Sequence, residues 1–529
     1  MTFRRIFLVM LALAPAMAQR SGDACAPPPS ALAPELPAKL LPGMGTVHMA
    51  ITTSSPETQK FFDQGLAQMH SFWAREAERS FLEAATLDPA APMPEWGIAM
   101  VAGGDWRPRF QIDTIARMNI GSVPPSMARA RAAARKALEL SEVPGKATEL
   151  EKLFVAAVAA RRDQAQKEPE DAFVRAMRTL LAKYPDDVEG QLDLSLMIMR
   201  GFSTPDKKPN APGTTEAVAI LRRLLVKAPE HPGVHHYVIH AFEGSTFARD
   251  AWPSCEKYPL LVPNIPHALH MPGHIYAQTG RWEDAVKAFD LAARNEREWM
   301  KQDRFYGDSH HGHNVHYLAA SYSFEGRFAE AMEAGKELFG FRPNPAQAVA
   351  LDVPRGAHSE GWFAMMRTLV QFEKWDEILD GQTLPAYAKP RQDAWWHWAR
   401  GLAQAAKGNA AAAHEESQAF EKSMAEFTAS THRGEPAELQ VAREELKGHL
   451  EAADGHLDQA LKTLEAASTA ERKLVYNEPP QYPRPVAEAL GALAIRYHKP
   501  AVADKAYAIA LDQYPNDAHA KRTTLAANR

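Results

Sequence analysis

A chain of 529 residues exceeds what one hydrophobic core organises, and its formal charge of -5, mixed from 60 basic and 65 acidic residues, leaves no basic footprint for nucleic acid. At 46% hydrophobic, 24% charged and 9% aromatic residues, the composition suits many packed helices rather than a sandwich or barrel, and excludes a disordered chain.

Residues 1–18 have the layout of a secretory signal: Arg4 and Arg5, the apolar run Ile6 to Leu13, then Ala16-Met17-Ala18 as a small-x-small cleavage site. A periplasmic or secreted protein is expected, and losing the two arginines moves the charge from -5 to -7. No later stretch approaches the roughly 20 apolar residues of a transmembrane helix. Asp23, two residues before Cys25, argues against lipidation there. Cys25 and Cys255 either pair in an oxidising compartment or stay apart, and sequence alone leaves both open. Residues 19–55, with Ala26-Pro27-Pro28-Pro29 and no sustained apolar period, read as a Pro-rich, loosely packed lead-in.

From Thr58 a regular pattern begins. Phe61, Gly65, Ala77, Phe81, Ala84 and Pro89 have the spacing of two antiparallel helices that meet at small residues and end at a proline. The pattern returns at Gly273, Tyr276, Gly280, Ala285, Phe289 and Ala292, and at Ala319, Tyr322, Gly326 and Ala331. Further copies begin at Gly401, Gly448 and Gly491. Between Gly103 and Lys208 the signature degenerates, leaving helices over Pro125 to Leu140, Lys146 to Arg162 and Asp171 to Tyr184, followed by a loop from Gly201 to Gly213. These residues resemble the tetratricopeptide repeat family, which implies an all-α solenoid, a right-handed superhelix of helical hairpins, over nearly everything beyond residue 58. N-terminal repeats then occupy 56–230, a His-rich block 231–345 and C-terminal repeats 346–529.

Eleven of the 21 histidines fall between His231 and His316. Pro232 and Pro266 are equivalent repeat starts 34 residues apart, and Gly312 is the next start, with about twelve extra residues assigned to a connection around Arg297 to Asp308. In this frame the successive first helices carry His236, His240 and Glu243, then His267, His270 and His274, then His313 and His316. Steps of three and four keep each set on one helical face. The family resemblance implies that this face lines the concave groove. His231, His235, His310 and His311 fall off the stripes, the last two reading as a loop.

A lone histidine is more often a surface or hydrogen-bonded residue, and His48, His358, His414, His432 and His519 are read so. Eight aligned ligand-type side chains point instead to a transition metal, because neutral imidazole is the commonest protein metal ligand and crowded imidazoles repel once protonated. Their number suits one ion with supporting groups, or a dinuclear site. Thiol-free nitrogen ligation suits Zn, Cu or Fe and disfavours Ca and Mg. A groove using histidines to hydrogen-bond a peptide is the competing explanation.

The segments His236 to Glu243, His270 to Tyr276, His313 to Leu318, Trp96 to Ala99 and Glu478-Pro479-Pro480 also resemble a group of exported bacterial repeat proteins, a resemblance that implies no particular reaction. Arg367 and Trp398, on the corresponding stripes of later repeats, are candidates for binding substrate. Each has a structural alternative, an ion pair with Glu360 or burial between helices. Tyr306, Asp308 and Tyr317 are candidate acid, base or supporting groups. The expected function is a metal-dependent enzyme, hydrolytic or oxygen-activating, with Glu243 as ligand or general base. Metal storage or delivery, or a metal-free scaffold docking a peptide or protein, are the alternatives.

Overall fold

The computed structural model describes residues 37–112, 125–302, 309–341, 356–431 and 434–521. The signal segment, Cys25, Tyr306 and Asp308 lie outside them. Among the described residues every regular element is a helix, and none is long and apolar enough to cross a membrane.

The helices follow one another as α1 (Pro56–His70), α2 (Ala74–Leu87), α3 (Pro92–Val101), α4 (Pro125–Ser141), α5 (Glu149–Arg162), α6 (Pro169–Lys183), α7 (Val188–Ile198) and α8 (Pro212–Lys227). The His-rich block comprises α9 (Pro232–Phe242), α10 (Trp252–Leu261), α11 (Pro266–Gln278), α12 (Trp282–Gln302), α13 (Ser309–Phe324) and α14 (Phe328–Phe339). Beyond it lie α15 (Ala357–Gln371), α16 (Trp375–Leu379), α17 (Pro390–Ala406), α18 (Ala410–Thr431), α19 (Ala437–Ala453), α20 (Leu457–Glu471), α21 (Val486–Arg496) and α22 (Pro500–Gln513).

Local sequence explains these boundaries. Proline opens α1, α9, α11, α17 and α22, where its missing N–H would have been unsatisfied anyway. Gly280, Gly326, Gly408 and Gly455 adopt left-handed φ of 77 to 87° at the turn inside a helix pair, a conformation glycine takes without steric cost. Within pairs the aromatic of the second helix fills the space a glycine leaves in the first. A Cβ on Gly65 would lie 2.7 Å from the Phe81 ring and one on Gly491 2.6 Å from Tyr507, while between pairs one on Gly97 of α3 would lie 2.5 Å from the Phe81 ring.

Three differences from the sequence reading shape the site. The twelve extra residues do not form a long connection, because α12 runs on to Gln302 and α13 starts at Ser309. His310 and His311 are therefore helical. The described part of the lead-in is not loose: Met44, Val47 and Met49 are buried, and Asn264 donates its backbone N–H to Gly43 O (3.1 Å). The groove is also closed rather than open. Trp282 Nε1 donates to Pro515 O (2.9 Å), Asn516 Nδ2 donates to Gly280 O (3.0 Å), and Thr204 Oγ1 donates to Leu474 O (2.9 Å), so both arms of the solenoid converge on the middle repeats.

Two measurements test this packing. Gly97→Ala should lower stability by about 1–3 kcal/mol in urea denaturation, since overpacking against Phe81 outweighs the gain in helix propensity. Burial, only partly offset by the Gln513 amide, pushes Glu471 from 4.5 up to about 8. The folded chain then holds a proton that the unfolded chain releases across this window, so stability falls as pH rises from about 4.5 to 8. Glu471→Gln should flatten that part of the stability–pH curve.

Candidate metal centre

Six of the aligned histidines gather into two triads. His236, His240 and His267, from α9 and α11, form the first, and His270, His274 and His313, from α11 and α13, form the second. Within each, the potential ligand atoms lie within 4.8 Å of one another. All six are buried, none more than 3% exposed.

On most of these rings one nitrogen faces a fixed hydrogen-bond partner. His236 Nδ1 donates to the His70 carbonyl (2.5 Å) and His240 Nδ1 to Glu243 Oε2 (3.3 Å). His274 Nδ1 donates to Glu243 Oε1 (3.0 Å) and also meets Glu478 Oε2. The Asn314 amide is oriented by donating to Phe289 O (3.0 Å) and Glu296 Oε2 (3.1 Å), so its oxygen accepts from His270 Nδ1 (2.7 Å). His310 Nδ1 donates to Glu296, and its Nε2 lies 3.3 Å from His267 Nδ1. On four rings, His236, His240, His270 and His274, Nδ1 therefore carries a proton and Nε2 faces the neighbouring imidazoles. The Nε2 atoms come together in pairs: His236 and His267 Nε2 are 3.1 Å apart, and His270 Nε2 lies 2.6 Å from that of His274. His313 Nε2 completes the second set, 3.2 Å from His270 Nε2. His240 Nε2 is buried without a hydrogen-bond partner.

Electrostatics points the same way. Burial, reinforced by neighbouring imidazoles, holds His236, His267, His270 and His313 well below the usual histidine range, so they stay neutral. Burial pushes Glu243 upward, but His240 and His274 more than offset it and keep the group ionised. Glu296 is held down similarly by His310 and His311. Glu478 is raised by burial and by Glu243 beside it. Among the described residues none of these three carboxylates is paired with lysine or arginine. His311, held at about 9 by Glu296 and Glu337 against the opposing effect of burial, is the cation beside Glu296.

The remaining expected residues lie elsewhere. Glu243 caps the end of α9 rather than lying within it, and its oxygens accept from His240 and His274. It also comes together with His274 and Glu478, the three offering ligand-type atoms within 4.8 Å of one another. His316 pairs with Glu360 (2.5 Å) and joins neither triad, although its Nε2 is buried and unpartnered. Arg367 and Trp398 are buried, and their contacts are to the chain itself. Arg367 donates to the carbonyls of Pro480, Tyr482 and Pro483, and Trp398 packs edge-on against Tyr482 (5.8 Å). Tyr317 packs 5.6 Å from His274.

Sequence reasoning missed His310, Glu296, Asn314 and Phe72 as supports. Their signals were present. His310 is three residues before His313, Asn314 lies beside it, and Phe72 stands at the intra-pair turn position that Gly280 fills in its own repeat. Phe72 takes φ 51° there, at a cost of about 1–3 kcal/mol, and its ring lies 4.4 to 5.6 Å from His236, His240 and His267. Glu478 had been noticed only as part of a resembling segment.

A third group, His70, Glu189 and His231, has metal-like spacing but a different balance. His231 Nε2 donates to Glu189 Oε1 (2.9 Å) and its Nδ1 accepts from Gly233 N (3.1 Å). His70 Nε2 donates to Glu189 Oε2 (2.6 Å), and its Nδ1 accepts from the Tyr237 hydroxyl (2.9 Å), whose oxygen accepts from Trp106 Nε1 (3.2 Å). Every polar atom in this chain of contacts is satisfied without an ion.

No protein-family model and no curated protein matches the chain. Among solved structures, human IFIT1, solved as a dimer with m7Gppp-AAAA, aligns over 90% of this chain and 91% of its own at 10% identity and TM-score 0.34. Yeast Tom70 aligns over 90% and 89% at 11% identity and TM-score 0.29. The described residues form an all-helical solenoid. These likenesses carry nothing about its site, and the function must be argued from the chamber.

Glu189→Gln would set an amide N–H against a histidine N–H, so it should cost on the order of 3 kcal/mol in urea denaturation. Metal content per folded molecule should stay the same, because the triads lie elsewhere.

Proposed function

We propose that this is an exported protein holding two transition-metal ions, one on His236, His240 and His267 and one on His270, His274 and His313, as the resident centres of a metal-dependent enzyme. The observation that carries the reading is two buried sets of three imidazoles, each with its potential ligand nitrogens within 4.8 Å of one another. The buried carboxylates add weight, because uncompensated charge in a dry interior costs several kcal/mol per ion. Imidazole ligation without thiolate suits Zn, Cu or Fe.

Three protein nitrogens per ion leave a coordination position for water or substrate, as in catalytic zinc sites. When bound, such an ion supplies Lewis acidity and an activated water, or oxygen activation if it is copper or iron. The chain's own contribution is orientation. Glu243 fixes one ring of each triad, and Glu296 fixes another in each, through His310 to His267 and through Asn314 to His270. Supports of this kind typically govern affinity and activity 10- to 100-fold. Burial of all six rings weighs against docking a peptide on them, and any substrate would be small and admitted by motion of the chain.

Elemental analysis of metal-replete protein purified without a His-tag should find about two equivalents, one for each three-nitrogen site. His240→Ala should retain one and His240→Ala/His274→Ala neither, while His316→Ala and His519→Ala should keep both. Less than half an equivalent in the wild type, or retained metal in the double variant, overturns the assignment.

A further inference from the structure

Every triad histidine is buried, so an ion can enter or leave only if something moves. The stretch 474–483, between α20 and α21, is non-helical throughout and crosses to the chamber from the C-terminal arm. It delivers Glu478 to His274 Nδ1, and the Tyr476 hydroxyl donates to the other Glu478 oxygen. Val475 and Tyr476 are exposed at 71% and 37%, whereas Glu478 is 7% exposed, so within three residues the stretch passes from solvent to the site.

What keeps it there is Arg367. Its guanidinium, 1% exposed, donates from Nη1 to Tyr482 O (3.2 Å) and Pro483 O (3.3 Å), and from Nη2 to Pro480 O. A planar, permanently charged fork can gather three main-chain carbonyls where a point charge on a flexible stem cannot. Tyr482 is held further by the rings of Trp395 and Trp398, each 5.8 Å away. A second anchor comes from the opposite arm, where Thr204 Oγ1 donates to Leu474 O (2.9 Å). Arg367 and Trp398 thus hold not a foreign ligand but the chain's own segment.

The geometry points to 474–483 as the retaining strap of the metal chamber, with Arg367 as the positioning residue that seats Glu478 on His274. The inference rests on the metal reading for what is retained, but the seating of the strap stands apart from it. With the strap seated, metal exchange waits on its release.

The test uses full-length protein loaded with zinc, with release followed by a chromophoric chelator in excess. Arg367→Met should release zinc at least tenfold faster than wild type at unchanged stoichiometry, with Arg367→Lys in between. Thr204→Val, which removes the opposite anchor, should also accelerate release and replaces Arg367→Met should that variant not fold. Unchanged release in the folded variants overturns the inference. Hydrogen exchange of zinc-free protein separates this from failure of the metal reading. Protection over 474–483 should fall in Arg367→Met while α11 and α13 stay protected, and equal protection overturns the strap whether or not zinc binds.

Discussion

Ionised carboxylates can be buried among imidazoles only where each neighbouring proton has an assigned place, and Glu243 and Glu296 assign those places throughout the chamber. Each reaches both triads. Glu243 takes the Nδ1 protons of His240 and His274, and Glu296 takes those of His310 and His311 while orienting Asn314. Because four of the six rings turn an Nδ1 proton outward to an acceptor, their Nε2 atoms turn inward. The inward set is then a consequence of the outward one, which is why supports of a metal site contribute so much to its affinity.

The repeat architecture makes this possible by supplying parallel first helices at fixed spacing. Steps of three and four along α9, α11 and α13 put imidazoles on adjacent stripes, and the triads form across helices rather than along one. Closure of the solenoid completes the enclosure. Phe72 from the N-terminal arm and Glu478 from the C-terminal arm reach the same middle repeats, one with an apolar ring in a strained backbone conformation and one with a carboxylate. The dry surroundings strengthen every electrostatic contact inside and penalise any left unpaired.

Much of this was legible in the sequence where the information is local. Helix starts at Pro232 and Pro266, the glycine turns and the His stripes all follow from neighbours within one repeat. Glu243 and six of the seven expected histidines reach the two triads or their immediate supports. What escaped depends on contacts distant in the chain. Nothing near Glu478 signals that it meets His274, and the dual alternatives for Arg367 could not include carbonyls more than a hundred residues away. His310 was misplaced for a different reason. The twelve-residue insertion was given to a connection, whereas α12 extended to absorb it and let α13 begin earlier.

The contrast between the triads and the His70, Glu189 and His231 group shows why clustering alone does not identify a metal site. All three groups have ligand-type atoms within 4.8 Å of one another and are buried or nearly so. In the third, donors and acceptors alternate along the whole path from Gly233 N to Trp106 Nε1, so an ion would have to displace bonds already made. In the triads imidazole nitrogen faces imidazole nitrogen, and His240 Nε2 is buried without a hydrogen-bond partner. The balance of protons, more than the count of histidines, distinguishes a structural network from a binding site. His70 holds Glu189 through its ring while its carbonyl holds His236, so a fully satisfied network anchors one ring of the first triad.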